Sequence, residues 1–198
     1  MPSSDFNHIP KVLQIVTMLQ PHSILDVGCG NGRYGMLFRE FLDWNYGRLK
    51  KDQWEHQIYG IDTEKAYFND IQIHHYIYDY DYVDNWLDIE PVCLQQIADV
   101  DYFDLIFMGD VLEHFREGEW QLALDKARGL SKYTLVVSPN WPGSTAQGAW
   151  HGHESEVHRV ALSPEKVGGR CLFANSKSFM CVFDNFNTGA FDRKDCCL

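Results

Sequence analysis

Three groups of residues in this sequence have types and spacings that could do chemistry. The first is Asp26-Val-Gly28-Cys-Gly30-Asn-Gly32, which joins a short apolar run to a helical one. In a turn of this kind several backbone N–H groups and the positive end of a helix face a ligand at close range. Glycine is needed there because a Cβ would block the approach and some turn positions require φ > 0. A dinucleotide fingerprint would need glycines at 28, 30 and 33, but position 33 is Arg33 and the third glycine comes one place early, at Gly32. Further along, Asp62 closes the run Tyr59-Gly-Ile-Asp62. A carboxylate at a strand end, with two lone pairs per oxygen, suits a vicinal diol, as in dinucleotide sites.

The second group is Phe103-Asp104-Leu-Ile-Phe-Met108-Gly109-Asp110-Val-Leu-Glu113-His114, a hydrophobic strand with an acid at its start and a polar turn after it. The third is the segment from Asn140-Trp141 through Trp150, His151, His153, Glu154, Glu156 and His158-Arg159. A helical zinc site needs H-E-x-x-H, which stacks two imidazoles one turn apart. Here the spacing is H-E-x-x-x-H, so His153 and His158 would diverge by about 140° on a helix. A loop-built metal site from His151, His153, Glu154 and His158 is the alternative to the expectation of no metal. If the segment is extended, Glu154, Glu156 and His158 share one side.

The elements that must position these groups alternate between strand-like and helix-like runs, the signature of an α/β domain with a mainly parallel sheet. Pro10 suits the first turn of a helix whose face is Val12, Leu13, Ile15, Val16 and Leu19, and Pro21 stops it. Strand one is Ser23–Val27, followed by a helix carrying Met36, Leu37, Phe38 and Phe41. After an insertion around Asp43–Glu55, strand two is Gln57–Ile61, and alternation predicts strand three at Ile71–Ile77. A helix near Val92–Ala98, strand four at Phe103–Met108, a helix over Glu117–Leu130 and strand five at Thr134–Ser138 follow. The loop at about 139–162 is longer than a structural connection needs. Ser163-Pro164-Glu165 starts a short helix, and a terminal hairpin is expected at about 171–184, around Asn175-Ser176.

With this order of elements the sequence resembles a class I S-adenosylmethionine-dependent methyltransferase of the small bacterial type, whose first motif is an acid followed by G-x-G-x-G. The resemblance covers about residues 20–140, the core of a single domain over 1–198. It implies a Rossmann-like, doubly wound, mainly parallel sheet with a C-terminal antiparallel hairpin. It implies that Asp26, Gly28, Gly30 and Gly32 pass under the methionine part of the cofactor and that Asp62 holds the ribose. The family's acid near the end of strand three, which meets the adenine amino group, matches Asp79 or Asp81, and Asp79 with Tyr80 is preferred. Met108, Gly109 and Asp110 should line the cofactor cleft. Asp104 is either part of the family's strand-four motif or a strand-flanking charge. His158-Arg159-Val-Ala-Leu-Ser163-Pro164-Glu165 resembles a run that borders the acceptor pocket in such folds.

The resemblance implies methyl transfer to an oxygen or nitrogen of a small acceptor: a metabolite, sugar or glycan. Histidine titrates nearest neutral pH and is the natural proton acceptor. Of the nine histidines, His114 and His158 can reach the methyl end of the cofactor, and His158, with Glu154 and Glu156 near it in sequence, is preferred. His158 could instead anchor the loop, and Trp141 and Trp150 could cover the pocket or pin the loop. Two other readings are a noncatalytic cofactor-binding protein of the same fold and a nicotinamide-dependent oxidoreductase, the latter disfavoured by Arg33.

Composition bounds the partners. The 198 residues, 45% hydrophobic and 23% charged, lie inside the globular range. A net charge of −11 disfavours long-tract nucleic acid, which normally leaves a clustered basic footprint. The one dense basic stretch, Arg48-Leu49-Lys50-Lys51, reads as a solvated loop. The start Met1-Pro-Ser-Ser-Asp lacks a basic n-region and an apolar h-region, and no run approaches a membrane span, so a cytoplasmic protein with no membrane partner is expected. The six cysteines form no C-x-x-C pair and are expected to be reduced. The oligomeric state is left open.

Overall fold

The computed structural model describes residues 6–65, 67, 74–140, 148 and 154–191. Its elements run in the order α1 (Ile9–Leu19), β1 (Ser23–Val27), α2 (Arg33–Leu42), β2 (Gln57–Asp62), α3 (His74–Ile77), β3 (Tyr80–Val83) and α4 (Pro91–Ala98). There follow β4 (Phe103–Gly109), α5 (Glu119–Leu130), β5 (Ser131–Pro139), α6 (Pro164–Val167), β6 (Arg170–Ala174) and β7 (Ser178–Asp184). The strands form one sheet in the order β3-β2-β1-β4-β5-β7-β6. The first five are parallel, and β7 lies antiparallel between β5 and β6. The expected doubly wound sheet with its terminal hairpin is therefore present, and the chain order reverses direction at β1. Open α/β sheets bind ligands beyond the C-terminal strand ends at such a switch point.

Burial on both faces explains why the central strands read as continuous apolar runs. Successive side chains alternate across the sheet. Leu105 and Phe107 face α1 and α2, packing with Val12, Ile15, Phe38 and Leu42. Ile106 and Met108 face the other layer, with Leu94 of α4 and Trp120, Ala123 and Leu124 of α5. Pro10 and Pro91 stand in the first turns of α1 and α4, where a missing N–H costs nothing, and Ser163 caps α6 by accepting from the Lys166 N–H at 3.3 Å.

Strand three is where the expectation fails. Residues 74–77 are helical, 71–73 lie outside the described residues, and the strand is Tyr80–Val83. His74, Ile77 and Tyr78 are all buried, and their i, i+3, i+4 spacing is that of one helical face. The strand itself pairs on one side only and is largely exposed, so it leaves no apolar run to read.

The insertion between α2 and β2 is organised by Arg39, whose side chain is 0% exposed. It donates to the carbonyls of His56 at 2.6 Å and Ile77 at 3.1 Å, to Asp79 Oδ2 at 2.9 Å and to the Asp43 carboxylate. Its guanidinium stacks 3.6 Å from the Trp54 ring centroid. Arg48 bonds Asp43 at 2.8 Å and Glu55 at 3.1 Å, and Lys51 reaches the Tyr78 carbonyl at 3.0 Å. The basic stretch is exposed at Leu49, Lys50 and Lys51, as expected of a solvated loop, and is held to the fold through the Arg48 and Lys51 head groups.

Candidate active site

The glycine loop lies between the ends of β1 and α2. Gly28, Gly30 and Gly32 have φ of 71°, 51° and 79°, a region L side chains rarely adopt. A Cβ on Gly28 would also stand 2.3 Å from Val111 Cγ2, so the loop is pressed against the turn after β4. The N–H groups of Gly28 and Cys29 bind the Ile61 carbonyl at 2.8 and 3.1 Å, which fixes the loop to the end of β2.

Asp62 stands at that end. Its Oδ2 accepts the Gly30 N–H and its Oδ1 the Glu64 N–H, each at 2.9 Å. Each oxygen keeps a further lone pair, so the carboxylate is oriented by the backbone and still able to accept a vicinal pair of hydroxyls. Burial raises its pKa above the ordinary carboxylate value, against those two N–H bonds.

Asp26 lies beneath the loop, 2% exposed, and its Oδ2 accepts the Tyr78 hydroxyl at 2.7 Å. Burial raises its pKa to about 7. The Tyr78 ring passes between two glycines to reach it: a Cβ on Gly35 would lie 2.4 Å from Tyr78, and one on Gly60 would lie 3.2 Å away. Two glycines outside the loop motif are therefore needed for the aromatic side chain that supports the loop's acid.

The expected adenine contacts are displaced by the late start of β3. Register pairs Tyr80 with Tyr59 and Val83 with Asp62. Tyr80 thus stands level with the middle of β1 and β2, and Asp79 one residue nearer their start, away from the glycine loop. Asp79 Oδ2 accepts from Arg39 and from the Ile58 N–H at 2.7 Å, which makes it part of the Arg39 network. Asp81, the alternative, has Oδ2 3.3 Å from His74 Nδ1. Beyond β3, the Asp84 N–H donates to the Asp62 carbonyl at 3.0 Å, which sets this exposed acid beside the end of β2.

Other expected site residues divide as well. Gly109 and Asp110 close β4 at the cleft end, and Asp110 has φ 56° with its N–H on the Val137 carbonyl at 2.9 Å. Met108 is fully buried in the layer with α5, so its side chain is core rather than cleft lining. Asp104 accepts the N–H groups of His22 at 2.8 Å and Ser23 at 3.3 Å at the start of β1; it is the strand-flanking charge.

His114 and His158 come together. Their ring centroids are 4.9 Å apart at 70°. The bond from the His114 ring to the Val157 carbonyl, 3.2 Å, joins the two segments, and so do the Arg159 and Val160 N–H groups on the Glu113 carbonyl at 2.8 and 3.2 Å. Burial lowers both histidine pKa values, that of His158 to about 4 with the His114 charge as the second cause, so both rings are neutral near pH 7. Beside them Glu113 is buried, and burial, then the nearby Asp110 charge, pushes its pKa well up. Glu156, in the same loop, accepts the Tyr67 hydroxyl and so links the chain after β2 to the loop after β5. Trp141, Trp150, His151 and His153 lie outside the described residues. Among the described residues no helix is long and apolar enough to cross a membrane.

No family model and no curated protein matches the sequence. Solved structures do match the fold. The methyltransferase domain of bacterial CtHen1-C superposes with a TM-score of 0.58 at 17% identity, over 89% of this chain and 96% of that one. The N-terminal domain of EvdMO1 with S-adenosylhomocysteine bound gives 0.56 at 12% identity, over 91% of this chain and 80% of that one. Magnesium protoporphyrin IX methyltransferase from Synechocystis PCC 6803, with S-adenosylmethionine bound, gives 0.54 at 10% identity, over 89% and 76%. The chain has the Rossmann-like fold of the class I S-adenosylmethionine-dependent methyltransferases.

Proposed function

We propose that the chain is a single-domain methyltransferase that takes its methyl group from S-adenosylmethionine and passes it to an oxygen or nitrogen of a small acceptor, a metabolite, sugar or glycan. The observation that carries this reading is the Gly30–Asp62 bond at 2.9 Å, which sets a ribose-type acceptor against a glycine loop at the sheet's switch point. The cofactor-bearing folds above support it. Acidic net charge supports a small acceptor over a polyanion. So do two fold relatives: an EvdMO1 N-terminal domain structure obtained in the presence of S-adenosylhomocysteine and D-fucose, and the plantazolicin methyltransferase BamL in complex with a triazolic desmethylPZN analog.

The cofactor, when bound, supplies a methyl group on a sulfonium leaving group. The residues of this chain then have three tasks. Asp62, Gly28, Gly30 and Gly32 hold and orient the nucleoside and its sulfur-bearing chain. Asp84 stands where an amino group at the far end of the nucleoside would be met. The neutral imidazoles of His114 and His158 face the acceptor, with lone pairs to position its nucleophilic atom, and alignment of two reactants supplies most of the rate. The experiment is transfer of label from methyl-labelled S-adenosylmethionine to a panel of small hydroxyl and amine acceptors. Labelled product supports the reading; cofactor binding without turnover across acceptor classes returns the chain to a noncatalytic binding role.

A further inference from the structure

We infer that Glu113, His114 and His158 form a binding site for one divalent transition-metal ion, placed to hold the acceptor's nucleophilic atom beside the methyl donor. The inference rests on the methyl-transfer reading for its role but not for its geometry. One ligand atom from each of the three residues lies within 4.8 Å of the others. Two imidazoles and one carboxylate form the donor set that leaves coordination positions open for substrate.

Each ligand is held for the task. Glu113 is 2% exposed, and its Oε2 accepts the Ser138 hydroxyl at 3.0 Å. Its Oε1 is buried with no hydrogen-bond partner among the described residues, and it stands 3.9 Å from His114 Nε2. Leaving a carboxylate oxygen buried and uncompensated is costly, and a cation removes that cost. A carbonyl only accepts, so the Val157 contact calls for a proton on His114 Nδ1, and in that tautomer the Nε2 lone pair lies on the side of Glu113. A backbone carbonyl behind the ring is the usual outer partner of a ligating histidine. His158 completes the set from the loop that the Glu113 carbonyl anchors. Metal–ligand bonds of about 2.0–2.2 Å require the three atoms to draw in by about 1 Å, a movement within the reach of side-chain rotation.

The charges around the site favour a cation as well. The half-buried Asp110 and Glu156 both act on the buried Glu113, in a chain of net charge −11. Two nitrogen donors select a transition metal over calcium or magnesium, which take oxygen sets. A bound ion would orient an acceptor hydroxyl and lower its pKa, its proton leaving to water. The expectation of no metal rests on the loop residues His151, His153, Glu154 and His158 and on the lack of a cysteine pair; two of the three ligands assigned here come instead from the turn after β4.

The test uses the full chain, stripped with chelator and titrated with Co²⁺ and Zn²⁺, reading visible absorption and calorimetric stoichiometry, with S-adenosylhomocysteine titrated into the same samples. One saturable site per chain is expected, with Co²⁺ absorption bands in the visible. Glu113→Gln and His158→Ala should each weaken metal binding by at least about tenfold while S-adenosylhomocysteine affinity holds. Should the buried Glu113→Gln variant fail to fold, His158→Ala, which changes a loop residue, decides. No saturable binding by the wild type, or binding that the variants leave unchanged, overturns the metal site. If S-adenosylhomocysteine binds in that case the methyl-transfer reading stands alone; if it does not, both fall.

Discussion

The backbone N–H of Gly30 donates to the Asp62 carboxylate at 2.9 Å, so the middle glycine of the loop and the acid of the next strand are one unit. The carboxylate is aimed before any ligand arrives. Replacing Asp62 with Ala removes a tie on the loop and, in the proposed function, the acceptor for a ribose diol. We expect S-adenosylhomocysteine binding to weaken by about 1.5–3 kcal/mol, the range for hydrogen bonds to a charged group, with folding retained. Wild-type affinity in calorimetry would place the ribose elsewhere.

Asp79 and Asp84 should separate cleanly. Asp79 closes the network of the buried Arg39, and removing one partner of a buried ion pair is strongly destabilising. Asp79→Ala should lower the denaturation midpoint and leave S-adenosylhomocysteine affinity within a factor of about two in the folded fraction. Asp84→Ala should leave the midpoint in place and weaken the cofactor by about three- to tenfold, the loss of one hydrogen bond. A reversal of the two outcomes would return the adenine role to Asp79.

How much of this was legible in the sequence depends on how local each feature is. The loop glycines and Asp62 form contiguous motifs next to buried apolar strands, and pattern alone locates them. Strand three is not legible, because a partly buried helix at His74–Ile77 mimics alternation, whereas Tyr80–Val83 is an edge with little apolar signal. With the strand starting at Tyr80, Asp79 and Tyr80 stand before and at its first residue instead of beyond its end. The Arg39 network has one local trace, the i, i+4 spacing to Asp43; its bonds to Ile77 and Asp79 are made by the fold. His114 and His158 are each visible as polar residues after a strand. That they meet, with Glu113 between strand and loop, depends on how the loop after β5 folds back.

Asp26 gives a pH test of the unliganded protein. Its folded pKa of about 7 lies above the model-peptide value near 3.8, so the folded state holds more protons between these limits. Stability from this group is therefore full below about pH 4 and is lost as pH rises through about 7, with a slope of up to about 1.4 kcal/mol per pH unit. Asp26→Asn keeps an acceptor for the Tyr78 hydroxyl but removes the titration. Urea midpoints across this range should fall more steeply with pH for the wild type than for the variant. Parallel curves would show that Asp26 is ionised in the folded protein throughout.

His158→Ala should lower turnover by about 10²–10⁴ while S-adenosylhomocysteine affinity holds, because in the proposed function the ring serves the acceptor and not the nucleoside. Turnover within a few-fold of wild type, together with collapse in His114→Ala, would move the principal role to His114.

The central claim is that the glycine loop and Asp62 bind the nucleoside of S-adenosylmethionine, and calorimetry on the purified chain tests it most directly. Titration with S-adenosylhomocysteine should show one site per chain, and titration with NAD should give no heat of binding. Binding of NAD without response to S-adenosylhomocysteine or S-adenosylmethionine would contradict the account.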